Sequence, residues 1–579
     1  MRRQPQRHRR PYAPGIDGLR ALAVLAVFGY HADIAGLRGG FLGVDVFFVI
    51  SGYLITDLLL AERRRRGAID LKQFWIRRAR RLLPALAVML VVVSAGAVVF
   101  DRQQLGGLRG DLLAAATYTS NWHQIHAHSS YFAAFGPQPL LVHLWSLAVE
   151  EQFYVAWPLL LLLLCAVIRL RGRQVAIVLA GALAATVAMA VGFHSGSDPS
   201  RLYYGTDTHA TGLLIGAALA IGLAGRRPRC DAFGTLCLGG LLFCAFLIGD
   251  SSVFAYRGGF LLVSALAAGT VAAAAAPAGL LGRVLGMTPL RWIGTRSYGI
   301  YLWHWPVLCL VRAQVGGQPR LAGSLVELAL VVLLAQLSWR FVEDPVRRAG
   351  FTAAIRSAGR ALAARSAPRL VAGGTAAAVA LVACVGVALP APRDSVAAQI
   401  KAGERVVDAP PMKHPVGARR VAGTGVTAIG DSVLLASAQA LRAALPGIAV
   451  DARIGRQMSV ANKVVASLRA TGRLGRVVVV DLGTNGDFTT QTLAQLMTTI
   501  GPSRKVLLLT VYARRSWQDA VNMTVRAAPL EWPNVTVVDW HDAIAHRQSL
   551  LWTDHVHPRP QGARLYAKLV TAALPASVR

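Results

Sequence analysis

Residues 427–441 read TAIGDSVLLASAQAL: an apolar run, the step Gly430-Asp431-Ser432, then an amphipathic stretch. The pattern predicts a strand, a tight turn and a helix opening at Ser432. A serine in that place caps a helix N-terminus or acts as a nucleophile, and the stretch alone does not choose between the two. Four further β-branched runs follow, IAVDARI (448–454), RVVVVDLG (476–483), KVLLLTVY (505–512) and VTVVDW (535–540), with amphipathic stretches between them. Strands alternating with helices imply a parallel sheet covered on both faces, an α/β domain over about residues 421–579. Ligands of such sheets sit at the C-terminal ends of the strands. Ser432, Asn485 and the DHVH segment at 554–557 lie after strands or in their loops, so they can meet at one edge.

The chain before this domain has another texture. Of 579 residues 54% are hydrophobic and 16% charged, too apolar for an ordinary soluble protein of this size. Apolar runs long enough to cross a bilayer lie near 18–35, 42–60, 82–100, 143–168, 175–193, 209–225, 232–249, 259–277, 293–311 and 321–340, with a last one at 370–389. The net charge of +32 comes largely from arginines between these runs, as in AERRRRG (61–67) and WIRRARRL (75–82). That is the pattern of cytoplasmic anchoring rather than of a nucleic-acid-binding face. No small-residue cleavage site follows the basic start MRRQPQRHRRPYAPGIDGLR, so the first span is expected to be retained.

Loop charge assigns sides. Segment 62–81 holds nine Lys/Arg and belongs inside, whereas 123–142 holds none and belongs outside. Only one net crossing fits between them, so the weaker run at 108–121 is expected to be re-entrant or surface-lying. RLRGR (169–173), RRPR (226–229), 281–292 and the six arginines of 342–369 alternate consistently. The expected architecture is a multi-span α-helical membrane domain (1–350) of about ten spans. A segment at 351–420 then carries a cytoplasmic stretch, the eleventh span and a Pro-bearing linker, and the α/β domain (421–579) follows on the outer side. The cysteines Cys165, Cys230, Cys237, Cys244, Cys309 and Cys384 all lie in or beside apolar runs without metal-ligand spacing, so neither a disulfide framework nor a metal site is expected.

A serine nucleophile needs a base, a group to orient the base, and donors for the oxyanion. WTDHVHP (552–558) supplies Asp554 and His557, DLGTNGD (481–487) supplies Asn485, and RIGRQ (453–457) supplies Gly455. These blocks, in this order, resemble the SGNH (GDSL-like) hydrolase superfamily over about residues 421–579. The resemblance implies Ser432 as nucleophile, His557 as base, Asp554 as its orienting acid, and the Ser432 amide, Gly455 and Asn485 as the oxyanion hole. His555 falls at an open place of the Asp-x-x-His block. Where the superfamily often shows Asn-Asp, this chain has Asn485-Gly486-Asp487. The forms GDSV, GRQ and GTNG resemble the exported domain of peptidoglycan O-acetyltransferases of the lysozyme-resistance type.

In the membrane part, GIDGLRALAVLAVFGYHA (15–32) puts Arg20 and His31 on one helix, ~16 Å apart along the axis. An ionisable group at membrane depth is a functional candidate, although a lone histidine on an apolar face is more often a satisfied packing residue. FLGVDVFFVISGYLI (41–55) adds Asp45, expected near the outer face and close to His31. HLWSLAVEEQFYVAWP (143–158) puts Glu150 and Glu151 at the outer start of another span, and SYGIYLWHWP (297–306) puts His304 mid-span. These strings, with Arg77-Arg78-Ala79-Arg80-Arg81-Leu82-Leu83-Pro84 and Glu343-Asp-Pro-Val-Arg347, resemble the acyltransferase-3 family over about residues 12–350. The resemblance implies transfer of an acyl group, typically from cytoplasmic acetyl-CoA as donor substrate with no permanently bound cofactor, to an acceptor outside. His31 would then be base or acyl relay, tuned by Asp45. Arg77, Arg78 and Arg81 at the cytoplasmic mouth suit the phosphates of CoA, as guanidinium groups pair with them bidentately, and they serve the positive-inside rule equally well. Arg20 would neutralise the donor or a buried acid.

The leading expectation is a two-part O-acyltransferase in a bacterial cytoplasmic membrane, acting on a cell-envelope glycan, peptidoglycan first. An exported esterase and a transporter or export scaffold are the competing readings, and fusion to donor machinery favours transfer. After residue 390 there are 23 Lys/Arg against 12 Asp/Glu, which suits an anionic envelope polymer.

Overall fold

Helices dominate as far as Asp408, and the first seven are α1 (Pro14–His31), α2 (Gly43–Arg66), α3 (Leu71–Phe100), α4 (Leu105–Ala116), α5 (Ser120–His126), α6 (Leu144–Val167) and α7 (Arg171–Gly192). The structure, a computed structural model, describes residues 12–578 apart from 35, 128, 133–138, 195–197, 251, 316–320, 351–366, 389–394, 410–421, 514, 516 and 553. The basic N-terminal start and much of the expected linker lie outside the described residues. Local chemistry sets several helix ends. α2 closes with Arg63–Arg66 in its last turn and Gly67 at φ +74°, a conformation glycine adopts freely, and the cations face the negative end of the helix. Asp70 opens α3 by accepting the Gln73 N–H at 2.9 Å.

Six helices among the described residues are long and apolar enough to cross a membrane, and shorter apolar helices cover Thr211–Leu223 and Asp231–Leu247. Large apolar side chains such as Leu160, Leu163, Leu236 and Phe243 face outward, as a lipid-facing surface requires. This is a multi-pass membrane protein. The run at 108–121 forms the twelve-residue α4 followed by the seven-residue α5; α4 is ~18 Å long, short of the bilayer core. Small residues let helices touch: a Cβ added at Gly52 would meet the Leu213 carbonyl, and one at Gly216 the Val49 carbonyl, so α2 and Thr211–Leu223 pack backbone to backbone.

The C-terminal part is a five-stranded parallel sheet of β1 (Val426–Gly430), β2 (Ala449–Ala452), β3 (Val477–Asp481), β4 (Lys505–Leu509) and β5 (Val535–Val538), in the order β2-β1-β3-β4-β5. β1 and β3 are buried along their whole length, as strands covered on both faces must be. The strand order reverses direction between β1 and β3, so the ligand crevice opens beyond Gly430 and Asp481.

The stretch read as linker contains a helix, Val396–Asp408, capped by Ser395. Val396 and Ile400 enter the α/β core, and Gln399 Nε2 donates to the carbonyls of Ala436 (2.6 Å) and Pro558 (2.9 Å) while its Oε1 accepts from Trp552 Nε1 (3.0 Å). Part of the connection is thus integral to the sheet domain. The two halves also touch: Arg515, beyond β4, pairs with Asp33, two residues past the end of α1, at 3.3 Å.

Candidate functional site

Ser432 is the first residue of the helix after β1, but it does not cap it. Asp431 does, accepting the Val433 N–H at 2.9 Å. The Ser432 hydroxyl is buried and makes no hydrogen bond. His557 Nδ1 contacts Asp554 Oδ2 at 2.7 Å, and Asp554 Oδ1 accepts the N–H groups of Val556 (3.0 Å) and His557 (3.1 Å), which locks the loop and the ring together. His557 Nε2 is buried without a partner as well. Two such orphaned atoms in a native interior call for an explanation, and a nucleophile–base pair awaiting substrate is one. His555, at φ +55° and 3.2 Å from Gln548, is a turn residue of this loop. Asn485 Nδ2 donates to Asp431 Oδ2 at 3.1 Å, leaving its second N–H for an oxyanion. Gly455 sits at φ +71° beyond β2, where a side chain would be strained.

Electrostatics divide the acids beneath the site. Burial pushes Asp431 up to about 6, against the pull of the Val433 N–H, Thr484, His557 and Asn485. Burial and the charge of Asp431 push Asp481 well above the carboxylate range, and Tyr566 donates to it at 2.7 Å. Of the two, Asp431 is the more readily ionised. Burial pulls His557 down, but the adjoining Asp554 carboxylate and then Asp431 outweigh it, and the imidazole lies above its ordinary 6.5. With neutral His557 as base, hydrolysis of an activated acetyl ester should rise with pH through a midpoint above 6.5. Asp554→Asn removes the charge that raises it, so the midpoint moves down while the maximal rate falls by about 10³–10⁴. A pH profile of kcat/KM for both proteins checks this; an unmoved midpoint would sink the assignment.

In the membrane part, a cavity is lined by Arg20, Arg78, Arg81, Ser51, Glu150 and Tyr154 among others. Glu150 accepts from the hydroxyls of Ser51 and Tyr154, and the Arg78 guanidinium lies 5.4 Å from the Tyr154 ring centre. Arg20 also pairs with Asp17 at 3.5 Å. Tyr301 lines this cavity and is also part of a histidine cluster: its hydroxyl donates to the His143 carbonyl at 2.9 Å, and its own carbonyl accepts from His304 Nδ1. A proton on His304 Nδ1 leaves Nε2 as acceptor for His31 Nδ1 at 3.1 Å, and His31 Nε2 then faces the Tyr131 hydroxyl at 2.9 Å.

Several expectations are corrected. Asp45 is not the partner of His31: it pairs, fully buried, with His209 Nε2 at 3.0 Å, since the first turn of α2 faces the turn that carries His209. Glu150 is not at an outer rim. It lies six residues inside α6, ~9 Å along the axis, and lines the arginine cavity. Glu151 is its half-buried neighbour, with one enclosed carboxyl oxygen unpartnered. Arg77 points away from the cavity to Glu62, at 3.3 Å. Glu343 accepts from Ser338 at 3.2 Å in the turn Trp339–Glu343, apart from the cavity lining. Sequence reasoning missed His209, Tyr131, His143 and Asp431; only Asp431, next to the quoted serine, carried a local signal. Asp539, His541 and Asp542 also converge, but Arg526 donates to both carboxylates at 2.9 and 2.8 Å and supplies the positive charge there.

A buried serine–histidine–aspartate set on a parallel sheet, joined to a polytopic bundle with an arginine-lined cavity, has the parts of an acyl-transferring membrane enzyme. The chain belongs to the acyltransferase-3 family, whose acyltransferase-domain model matches residues 14–340, and it is an O-acyltransferase. It is 36% identical over 621 aligned residues to the peptidoglycan O-acetyltransferase OatA of Listeria monocytogenes, covering 98% of this chain and 99% of that one. To the putative peptidoglycan O-acetyltransferase YrhL of Bacillus subtilis it is 34% identical over 637 residues, with 99% and 100% covered. Among solved structures, the C-terminal catalytic domain of Streptococcus pneumoniae peptidoglycan O-acetyltransferase A (OatA), with a methylsulfonyl adduct, aligns at 25% identity and a TM-score of 0.25, covering 26% of this chain and 93% of that one.

Proposed function

We propose that this enzyme moves an acetyl group from cytoplasmic acetyl-CoA across the bacterial cytoplasmic membrane to Ser432, and from there to a sugar hydroxyl of peptidoglycan. The observation that carries the proposal is the pair of buried, unpartnered atoms Ser432 Oγ and His557 Nε2, at the edge of the sheet where a parallel fold binds its ligand. Arg20, Arg78 and Arg81 hold the donor phosphates in the inner cavity, with Glu150 limiting their net charge. His31, at the other end of α1 from Arg20, serves the outward step. There His31 Nε2 attacks the thioester carbonyl, the C–S bond breaks as the N–C bond forms, and the CoA thiolate leaves with the proton that His31 gives up, so that the acyl group is carried on His31.

At the exported site, Ser432 Oγ attacks the acyl group carried on His31; the bond to His31 breaks as the serine ester forms, and His557 takes the serine proton and passes it to the departing imidazole. The oxyanion is met by the Ser432 and Gly455 N–H groups and the Asn485 amide. The acceptor hydroxyl then attacks, giving its proton to His557, and the ester bond to Ser432 breaks. In this reading ten spans and an eleventh at 370–389 carry the domain to the outer side, a placement that the alternation of loop charge supports. Contact of Arg515 with the His31 end of α1 supports that side. The acceptor assignment rests on the names of the relatives; other envelope polysaccharides, lipopolysaccharide and glycolipids are the alternatives. Mass spectrometry of envelope glycans from a deletion strain and its parent tests the reading. Peptidoglycan acetyl groups should disappear on deletion, whereas an increase would identify an esterase and unchanged peptidoglycan with loss elsewhere would reassign the acceptor.

A further inference from the structure

The relay needs the exported serine to meet the outer end of the membrane pathway, and one ion pair joins the two halves at that place. Arg515 Nη1 donates to Asp33 Oδ2 at 3.3 Å. Each partner is placed tellingly. Asp33 lies two residues beyond His31, whose carbonyl is held by Arg312 at 3.0 Å, and Arg312 is itself neutralised by a two-pronged pair with Glu327 at 3.1 and 3.2 Å. The pair is therefore fastened to the segment that presents His31. Arg515 lies beyond β4, at the C-terminal edge of the sheet, the edge that also carries Ser432 beyond β1 and Asn485 beyond β3. Nearby Trp517 donates through Nε1 to the Gly483 carbonyl at 3.3 Å, which ties this region to the loop bearing Asn485. The catalytic edge of the exported sheet thus faces the His31 end of α1.

Backbone conformation points the same way. Asp33 sits at φ +56°, just past the C-terminal cap of α1, a place where glycine is the unstrained choice. A carboxylate there costs backbone strain, and its side-chain partner among the described residues is Arg515. The side chain of Arg515 is 21% exposed and that of Asp33 67%, so the pair lies at the rim of the contact, with its cation enclosed and its carboxylate open to solvent.

We infer that Asp33–Arg515 is a docking latch between the exported domain and the outer mouth of the membrane domain, holding the Ser432 edge where the acyl group emerges. The inference rests on the relay reading above. Asp33→Arg and Arg515→Asp should each lower glycan acetylation about ten-fold, and the double charge swap should restore it to within about two-fold of wild type. Asp33→Gly, which relieves the strained backbone, should fold at least as well and still lose about ten-fold in acetylation. Hydrolysis of a soluble activated acetyl ester, which reaches Ser432 from outside, should be unchanged in every latch variant. Wild-type acetylation in the single variants, a double variant no better than the singles, or a parallel loss of ester hydrolysis would each overturn the latch. Ser432→Ala, assayed alongside, keeps the two ideas apart: persistent acetylation there defeats the relay, whereas its abolition beside fully active charge variants defeats only the latch.

Discussion

Ser432→Ala is expected to bring acetyl transfer to the glycan down by a factor on the order of 10⁴ or more without loss of stability. The first half follows from chemistry: without the hydroxyl there is no acyl-serine, and the oxyanion donors alone support only residual turnover. The second half follows from geometry. A capping serine contributes roughly 1 kcal/mol to its helix, and its removal would lower the melting temperature. Here Asp431 makes the cap, and the Ser432 hydroxyl is buried without a partner. Removing an unsatisfied buried hydroxyl relieves a desolvation penalty, so the variant should melt at the wild-type temperature or above it. Thermal unfolding of the detergent-purified chain beside an acetylation assay reads both halves. A clear drop in melting temperature would mean that the hydroxyl is structural.

His31→Gln is expected to be as inactive in glycan acetylation as Ser432→Ala, yet to retain full hydrolysis of an activated acetyl ester at the Ser432 site. Gln fills similar space and keeps hydrogen-bonding groups near His304 and Tyr131, but it has no basic nitrogen. The variant therefore separates proton chemistry from packing. If acetylation survives, His31 is a packing residue, and the polar cluster it shares with His304 and His143 must be explained by stability alone. If ester hydrolysis falls as well, His31 acts through the α/β domain rather than upstream of it.

The features legible in the sequence were the local ones. Five β-branched runs became five parallel strands, because burial on both faces demands continuous apolar stretches. Ser432, Gly455, Asn485 and Asp554/His557 were found because each lies in a short block. Pairings across the chain were not legible. Asp45 reads as a neighbour of His31 when both are placed by depth, but depth leaves rotation about the helix axis open, and its partner His209 is 164 residues away. Glu150 was misplaced for a related reason: its distance from the start of the apolar run said nothing of which cavity its side chain enters. The helix Val396–Asp408 did carry a signal, Ser395 as cap with Val396 and Ile400 four apart, and it was obscured by the prolines on either side.

Gln399 gives that helix a mechanical meaning. By gripping the carbonyls of Ala436 and Pro558 it attaches the stalk to the wall beside His557, not to the far side of the globule. Seven residues separate Ala388, the end of the last apolar helix, from Val396, a span of at most ~29 Å for a fully extended chain. If the domain stands outside and acts on peptidoglycan as proposed, a globule hung so short, and by its working face, would serve only strands of polymer that pass close above the lipid surface, newly made glycan rather than mature wall further out.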